Sequence, residues 1–165
     1  MRTSNKILII LAAVILVGLI ILAASFRGFA GRVMKDAPPE GTGVTGSGAR
    51  VERTYEVEDF TGIESSGGWE VVVTQGNRYE VKVTAPENIH DVLRISRKGD
   101  NLVLGFEPGY TVSNARTSAV IYMPELRRLS GTGGTAFTFN GFSGERLDIE
   151  IAGGATLHGT GGRYD

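Results

Sequence analysis

Apolar residues run through this chain in two registers, one continuous and one alternating. The continuous one comes first: "ILIILAAVILVGLIILAA", Ile7–Ala24, contains no charge at all. Eighteen residues of helix rise about 27 Å, close to the ~30 Å hydrocarbon core of a bilayer. A helix buried in a soluble fold would show a polar stripe, and this segment has none. It predicts a transmembrane helix over 7–24, within an anchor or signal segment spanning 1–26. It is longer than the usual ~7–15 apolar residues of a cleaved leader, which favours an uncleaved anchor. "AAS" at Ala23–Ser25 nevertheless offers small residues suited to cleavage. Arg2 and Lys6 precede the segment and Arg27, Arg32 and Lys35 come after it, so flanking charge does not decide orientation. A signal-like segment at the extreme N-terminus normally exports the remainder of its chain.

Residues 27–50 change character. "MKDAPPEGTGVTGSGAR" holds two prolines, four glycines and hardly any apolar residue. Such composition buries too little surface to offset the entropy of ordering it, and predicts a linker.

From Val51 the alternation has period two, the mark of strands. Trp69, Val71 and Val73 share one face, Gln75-Gly76-Asn77 reads as a turn, and Tyr79, Val81 and Val83 resume the pattern. That predicts a β-hairpin over 69–85. A second hairpin is predicted from Leu93 and Ile95, a turn at Lys98–Asn101, then Leu102, Leu104 and Phe106. "TSAVIYMP" (Thr117–Pro124) reads as a strand ended by its proline, and "PENIHDVL" (Pro86–Leu93) as a single helical turn.

Glycine then changes the picture. There are 24 in 165 residues, about twice the usual ~7% share. Many fall in a repeat of the form apolar-x-x-x-Gly-Gly-x-x-apolar: Ile63 to Val71, Leu129 to Phe137 and Ile149 to Leu157. The second and third copies start 20 residues apart, a period that suggests stacked coils with glycine at the corners. Glycine permits positive φ and close backbone approach there. The predicted stacked core is Leu129, Phe137, Phe139, Leu147, Ile149, Ile151 and Leu157. The expected fold is all-β, a β-solenoid or β-helix-like domain with hairpins over 51–165. A leucine-rich repeat would need a leucine comb and an asparagine ladder, and neither is present. Gly131–Ala136 formally satisfies a dinucleotide-binding GxGxxA, but strand-like "FTFNGF" comes next, where a helix must open.

Little chemistry accompanies this architecture. With no cysteine, thiolate metal sites and cysteine nucleophiles are excluded. A net charge of −1 gives no footprint for nucleic acid. Glu87, His90 and Asp91 have the i, i+3, i+4 spacing of a metal-binding turn, although a solvated turn with an ordinary histidine is the favoured reading. His158 reads as a surface residue. Asp148 and Glu150 project together from one strand, about 7 Å apart. Paired carboxylates serve glycoside cleavage, but only when burial tunes their acidity. Ser65, Ser66 and Ser130 lack the G-x-S-x-G elbow. Trp69 reads as core or rim rather than a sugar platform, and Arg127-Arg128 as solvated rather than anion-binding. No catalytic, cofactor-binding or metal residue is assigned, no cofactor is expected, and ligand contacts are left open.

"FTGIESSGGWEVVVTQGNRYEVKVTAPENIHDVLRISRKGDNLVL", "VIYMPELRRLSGTGGTAFTFNGF" and "LDIEIAGGATLHG" together resemble the head GIN domain of putative auto-transporter adhesins. The resemblance covers roughly Val51 to Asp165. It implies an extracytoplasmic bacterial domain, often tethered by an N-terminal segment and without established enzymatic activity. The resemblance implies that further repeats usually follow, so the expectation is either a fragment or an open coil edge covered by another subunit. The expected function is an exported, membrane-tethered binding module of the envelope, adhesin-like and non-catalytic. Expected partners are the membrane through 7–24, envelope polysaccharide or surface protein, and a second copy at the open edge. The alternatives are a structural or sensory envelope component acting through its membrane segment, a carbohydrate-active enzyme, and, for location, secretion after leader cleavage.

Overall fold

Strands form wherever β-branched and aromatic residues alternate with polar ones, and glycine or proline ends them. The computed structural model describes residues 41–164, so the predicted membrane segment lies outside the described residues. Fifteen strands occur among the described residues. In chain order the first eight are β1 Thr42–Thr45, β2 Arg50–Tyr55, β3 Gly62–Ser66, β4 Trp69–Gln75, β5 Glu80–Pro86, β6 Leu93–Lys98, β7 Asn101–Phe106 and β8 Tyr110–Ser113. The remainder are β9 Thr117–Met123, β10 Arg128–Thr132, β11 Ala136–Asn140, β12 Ser143–Gly144, β13 Asp148–Ile151, β14 Thr156–Thr160 and β15 Arg163–Tyr164. The helical turn expected near Pro86–Leu93 is a 3-10 turn at Glu87–Val92.

Two larger sheets carry most of these strands. One has five strands in the order β13-β10-β3-β7-β6; the other has six, β14-β11-β4-β9-β5-β2. Most neighbours are parallel, and their registers align equivalent residues into rows. Leu102, Ile63, Leu129 and Ile149 face one another across β7, β3, β10 and β13. Ala119, Val71, Phe137 and Leu157 do the same across β9, β4, β11 and β14. Inward side chains of both sheets form one core with Phe60, Trp69, Ile121, Leu126 and Phe142. Full burial of each large apolar side chain contributes roughly 1.5–3 kcal/mol.

The glycine doublets sit at the bends between β3 and β4, β10 and β11, and β13 and β14. Gly133 has φ +69°, and a Cβ there would lie 3.2 Å from the Gly67 nitrogen; Gly153 repeats this with φ +63°, 3.0 Å from the Gly133 nitrogen. Both reasons expected for glycine, positive φ and close approach, therefore apply at the same position. Thr135, fully buried after the second doublet, donates its hydroxyl to the Gly67 carbonyl at 2.8 Å. One bend is thereby tied to the next.

Three expectations change. The hairpin predicted over 69–85 does not form: β4 and β5 are both neighbours of β9, which lies between them. The turn at Gln75–Asn77 reverses the chain but leaves a gap one strand wide, and Gly76 N–H bonds to the Met123 carbonyl across it. The hairpin of β6 and β7 does form. Second, the stretch read as linker contains strand from Thr42, where β1 pairs in parallel with β8. Tertiary hydrogen bonds hold it, with Asn88 accepting from Ser47 N–H at 2.9 Å and donating to the Thr45 carbonyl at 2.9 Å. Third, Ile149 is not core but 47% exposed. It extends the Leu129 row by one strand, and β13 is the last strand of its sheet. Leu129 and Phe137 are buried as expected, while Phe139, Leu147, Ile151 and Leu157 are partly buried against the core.

Candidate functional site

The residues nominated from sequence mostly have structural employment. His90 is 5% exposed, with Nδ1 at 3.0 Å from the Tyr55 hydroxyl and Nε2 at 2.8 Å from the Val51 carbonyl. A carbonyl only accepts, so Nε2 carries a hydrogen and donates to Val51. Both ring nitrogens are occupied, and burial pushes the Tyr55 phenol above its ordinary range. Asp91 points to solvent beside Arg53, 3.9 Å away. No group of acids and histidines fit to hold a metal occurs among the described residues.

Asp148 and Glu150 do project together, but each is exposed and ion-paired, to Arg146 at 2.6 Å and to Arg128 at 2.9 Å. Arg127 pairs with Glu125 at 2.7 Å. Ser65 is buried and bonds to Thr135, so it is a corner residue. Trp69 is core, its ring 6.0 Å from that of Phe106, and its buried Nε1 has no hydrogen-bond partner among the described residues. His158 is exposed, as expected.

What remains is a surface. The six-stranded sheet turns its outward side chains to solvent in rows fixed by strand register. Thr160, Asn140, Thr74, Tyr122 and Glu80 form one row across five strands. His158, Thr138, Val72, Val120 and Lys82 form the next. Four inter-strand steps of about 4.8 Å make each row roughly 19 Å wide. Val120 and Tyr122 are 36% and 37% exposed, large apolar groups set among hydroxyls and amides. None of these residues was legible from sequence as a ligand contact. Alternation identified the outward positions within each strand; which strands would lie side by side was not encoded locally.

At one end of the rows lies a groove of about 600 Å³ lined by Gly76, Asn77, Arg78, Glu80, Lys82 and Tyr122. Lys82 Nζ meets Glu80 Oε1 at 2.7 Å. That hydrogen bond holds the Glu80 carboxyl below its ordinary range and the Lys82 ammonium above its own. A second groove of about 420 Å³ lies among Glu125, Arg127, Glu145, Arg146 and Asp148, where the ion pairs consume most of the charge.

The sequence pattern of one family, described as "Putative auto-transporter adhesin, head GIN domain", matches residues 59–163. The chain belongs to this family. Solved structures similar to this GIN domain include a putative lipid binding protein from Parabacteroides distasonis, at 21% identity and TM-score 0.65, covering 72% of this chain and 53% of that one. A putative adhesin from Parabacteroides merdae aligns at 19% identity and TM-score 0.60, covering 73% and 56%. Another, from Bacteroides fragilis, aligns at 21% identity and TM-score 0.60, covering 70% and 57%. At such identities the likeness is one of fold. The chain spans little more than half the length of each. No curated protein matches the chain. Among the described residues of the GIN domain, no helix is long and apolar enough to cross a membrane.

Proposed function

We propose that this chain is an exported envelope protein whose GIN domain is a short β-solenoid acting as a binding module, adhesin-like and non-catalytic. The observation that carries the reading is the outer face of the six-stranded sheet, where register aligns hydroxyl, amide and apolar side chains over five strands. The parallel rows with stacked glycine bends support the solenoid description. Family membership supports an envelope location and adhesion as the class of activity. The module is tethered to the cytoplasmic membrane by residues 7–24, with the β domain outside.

Catalysis on glycans finds no support in the geometry, since Asp148 and Glu150 are solvated and paired. Asp148→Asn and Glu150→Gln are expected to leave any glycan turnover unchanged. The direct test of binding is retention of the full chain, in mild detergent, on immobilised envelope polysaccharide and on envelope protein extract. Thr74→Arg with Thr138→Arg, two bulky charges on the face, is expected to abolish retention on whichever material binds. Unchanged retention would overturn the reading.

Self-association has one favourable observation of its own. Ile149 continues a row whose other members are fully buried, on a strand with one edge unpaired among the described residues. A second copy adding a strand there would cover it.

A further inference from the structure

Resting on the reading of the outer face as a binding surface, we infer that the groove beside Tyr122 is a subsite for an acidic saccharide, a glycan containing uronic acid. The groove's volume of about 600 Å³ falls in the range of small-ligand sites. Its composition is polar except for Tyr122, whose ring lies against Gly76 and stays 37% exposed. A flat, half-exposed aromatic with a hydroxyl at its tip suits a ligand that is apolar on one face and polar at its rim, as a pyranose is.

Charge narrows the ligand further. Glu80 is neutralised by Lys82 at 2.7 Å, and Arg78 acts on it only at longer range. The Arg78 guanidinium is the remaining cation of this groove, and Arg78 also lines a neighbouring groove with Glu56 and Glu58. The planar fork of that guanidinium matches a carboxylate through two parallel hydrogen bonds. A carboxylate alone would not separate a sugar acid from a peptide; the row leading away from the groove does. Thr74, Asn140 and Thr160 succeed Tyr122 at inter-strand steps of about 4.8 Å, close to the length of one sugar unit in a chain. Each step presents a hydroxyl or an amide; the Thr160 hydroxyl already donates to the Asn140 amide oxygen, which leaves the Asn140 amide N–H groups for a ligand. A polysaccharide crossing the strands would thus meet one polar partner per residue, with its acidic ring at Tyr122 and Arg78.

The probe is trigalacturonate, compared with its methyl ester, which keeps the sugar and removes the charge. Calorimetric titration of the full chain in mild detergent is expected to show the acid binding about tenfold tighter than the ester. Arg78→Gln should erase that preference and leave ester binding intact. Tyr122→Ala should weaken both ligands about tenfold. If Tyr122→Ala lowers the thermal midpoint, Tyr122→Thr replaces it, keeping a strand-forming residue. Equal affinity for acid and ester, no binding of either, or an unchanged preference in Arg78→Gln would overturn the inference. Binding that survives both groove variants but is lost with Thr74→Arg and Thr138→Arg would overturn this subsite and leave the broader face standing.

Discussion

At the scale of single residues, two kinds of glycine make opposite demands. Gly133 combines positive φ with a backbone nitrogen 3.2 Å from where a Cβ would be. Gly68 has open space and no positive φ. Gly133→Ala is therefore expected to cost about 1–3 kcal/mol in urea unfolding, and Gly68→Ala less than ~0.5 kcal/mol. His90→Ala should cost about 1–3 kcal/mol, because it leaves the Tyr55 hydroxyl and Val51 carbonyl without their partner. The Glu80 carboxyl offers a pH test. Its folded value is lowered by Lys82, so whatever the pair contributes is present above the ordinary carboxylate range and is lost as pH falls through the lowered value. In Lys82→Met, NMR titration should find the Glu80 midpoint shifted upward.

Elements show where local pattern is informative and where it fails. The hairpin of β6 and β7 was legible because its turn and both partners lie within fourteen consecutive residues. β4 and β5 carry equally good alternation and a turn between them, yet β9, from more than thirty residues further on, takes the place between them. A turn residue encodes reversal; the distance at which the returning strand docks is decided by what fits the gap. The strand nature of Thr42–Thr45 was equally hidden, since Asn88 and β8 supply its bonds from far along the chain. The glycine corners were legible because the repeat itself placed them. Ile149 was misread for the complementary reason, that period reports facing but not whether a further layer covers the face. Leu129→Ala should cost about 2–5 kcal/mol. Ile149→Ala in the same row should cost less than ~1 kcal/mol by urea unfolding in dilute protein. Sedimentation at higher concentration then tests self-association, with Ile149→Lys expected to abolish any dimer.

Over the whole molecule, stability should be graded along the direction in which strands are added. β4 and β9 are central and flanked on both sides, while β13, β14 and β15 have one neighbour each among the described residues. Hydrogen exchange is expected to be slowest in Val71–Val73 and Ala119–Ile121 and fastest from Asp148 onward. Uniform protection would contradict that order. The two proposed modes of action also separate at this scale. Replacing residues 7–24 with an unrelated anchor should spare adhesion and abolish a role that works through the membrane segment.

The late strands keep one constant offset. Leu129 faces Ile149, Phe137 faces Leu157 and Ser143 faces Arg163, always 20 residues on. Such regularity makes this portion of the polypeptide modular in length. Duplicating residues 127–146 in tandem should be accepted as an additional storey, lengthening the particle by about 4.8 Å and widening the outer platform by one strand. Ile149, displaced one level outward, would keep its exposed place at the new end.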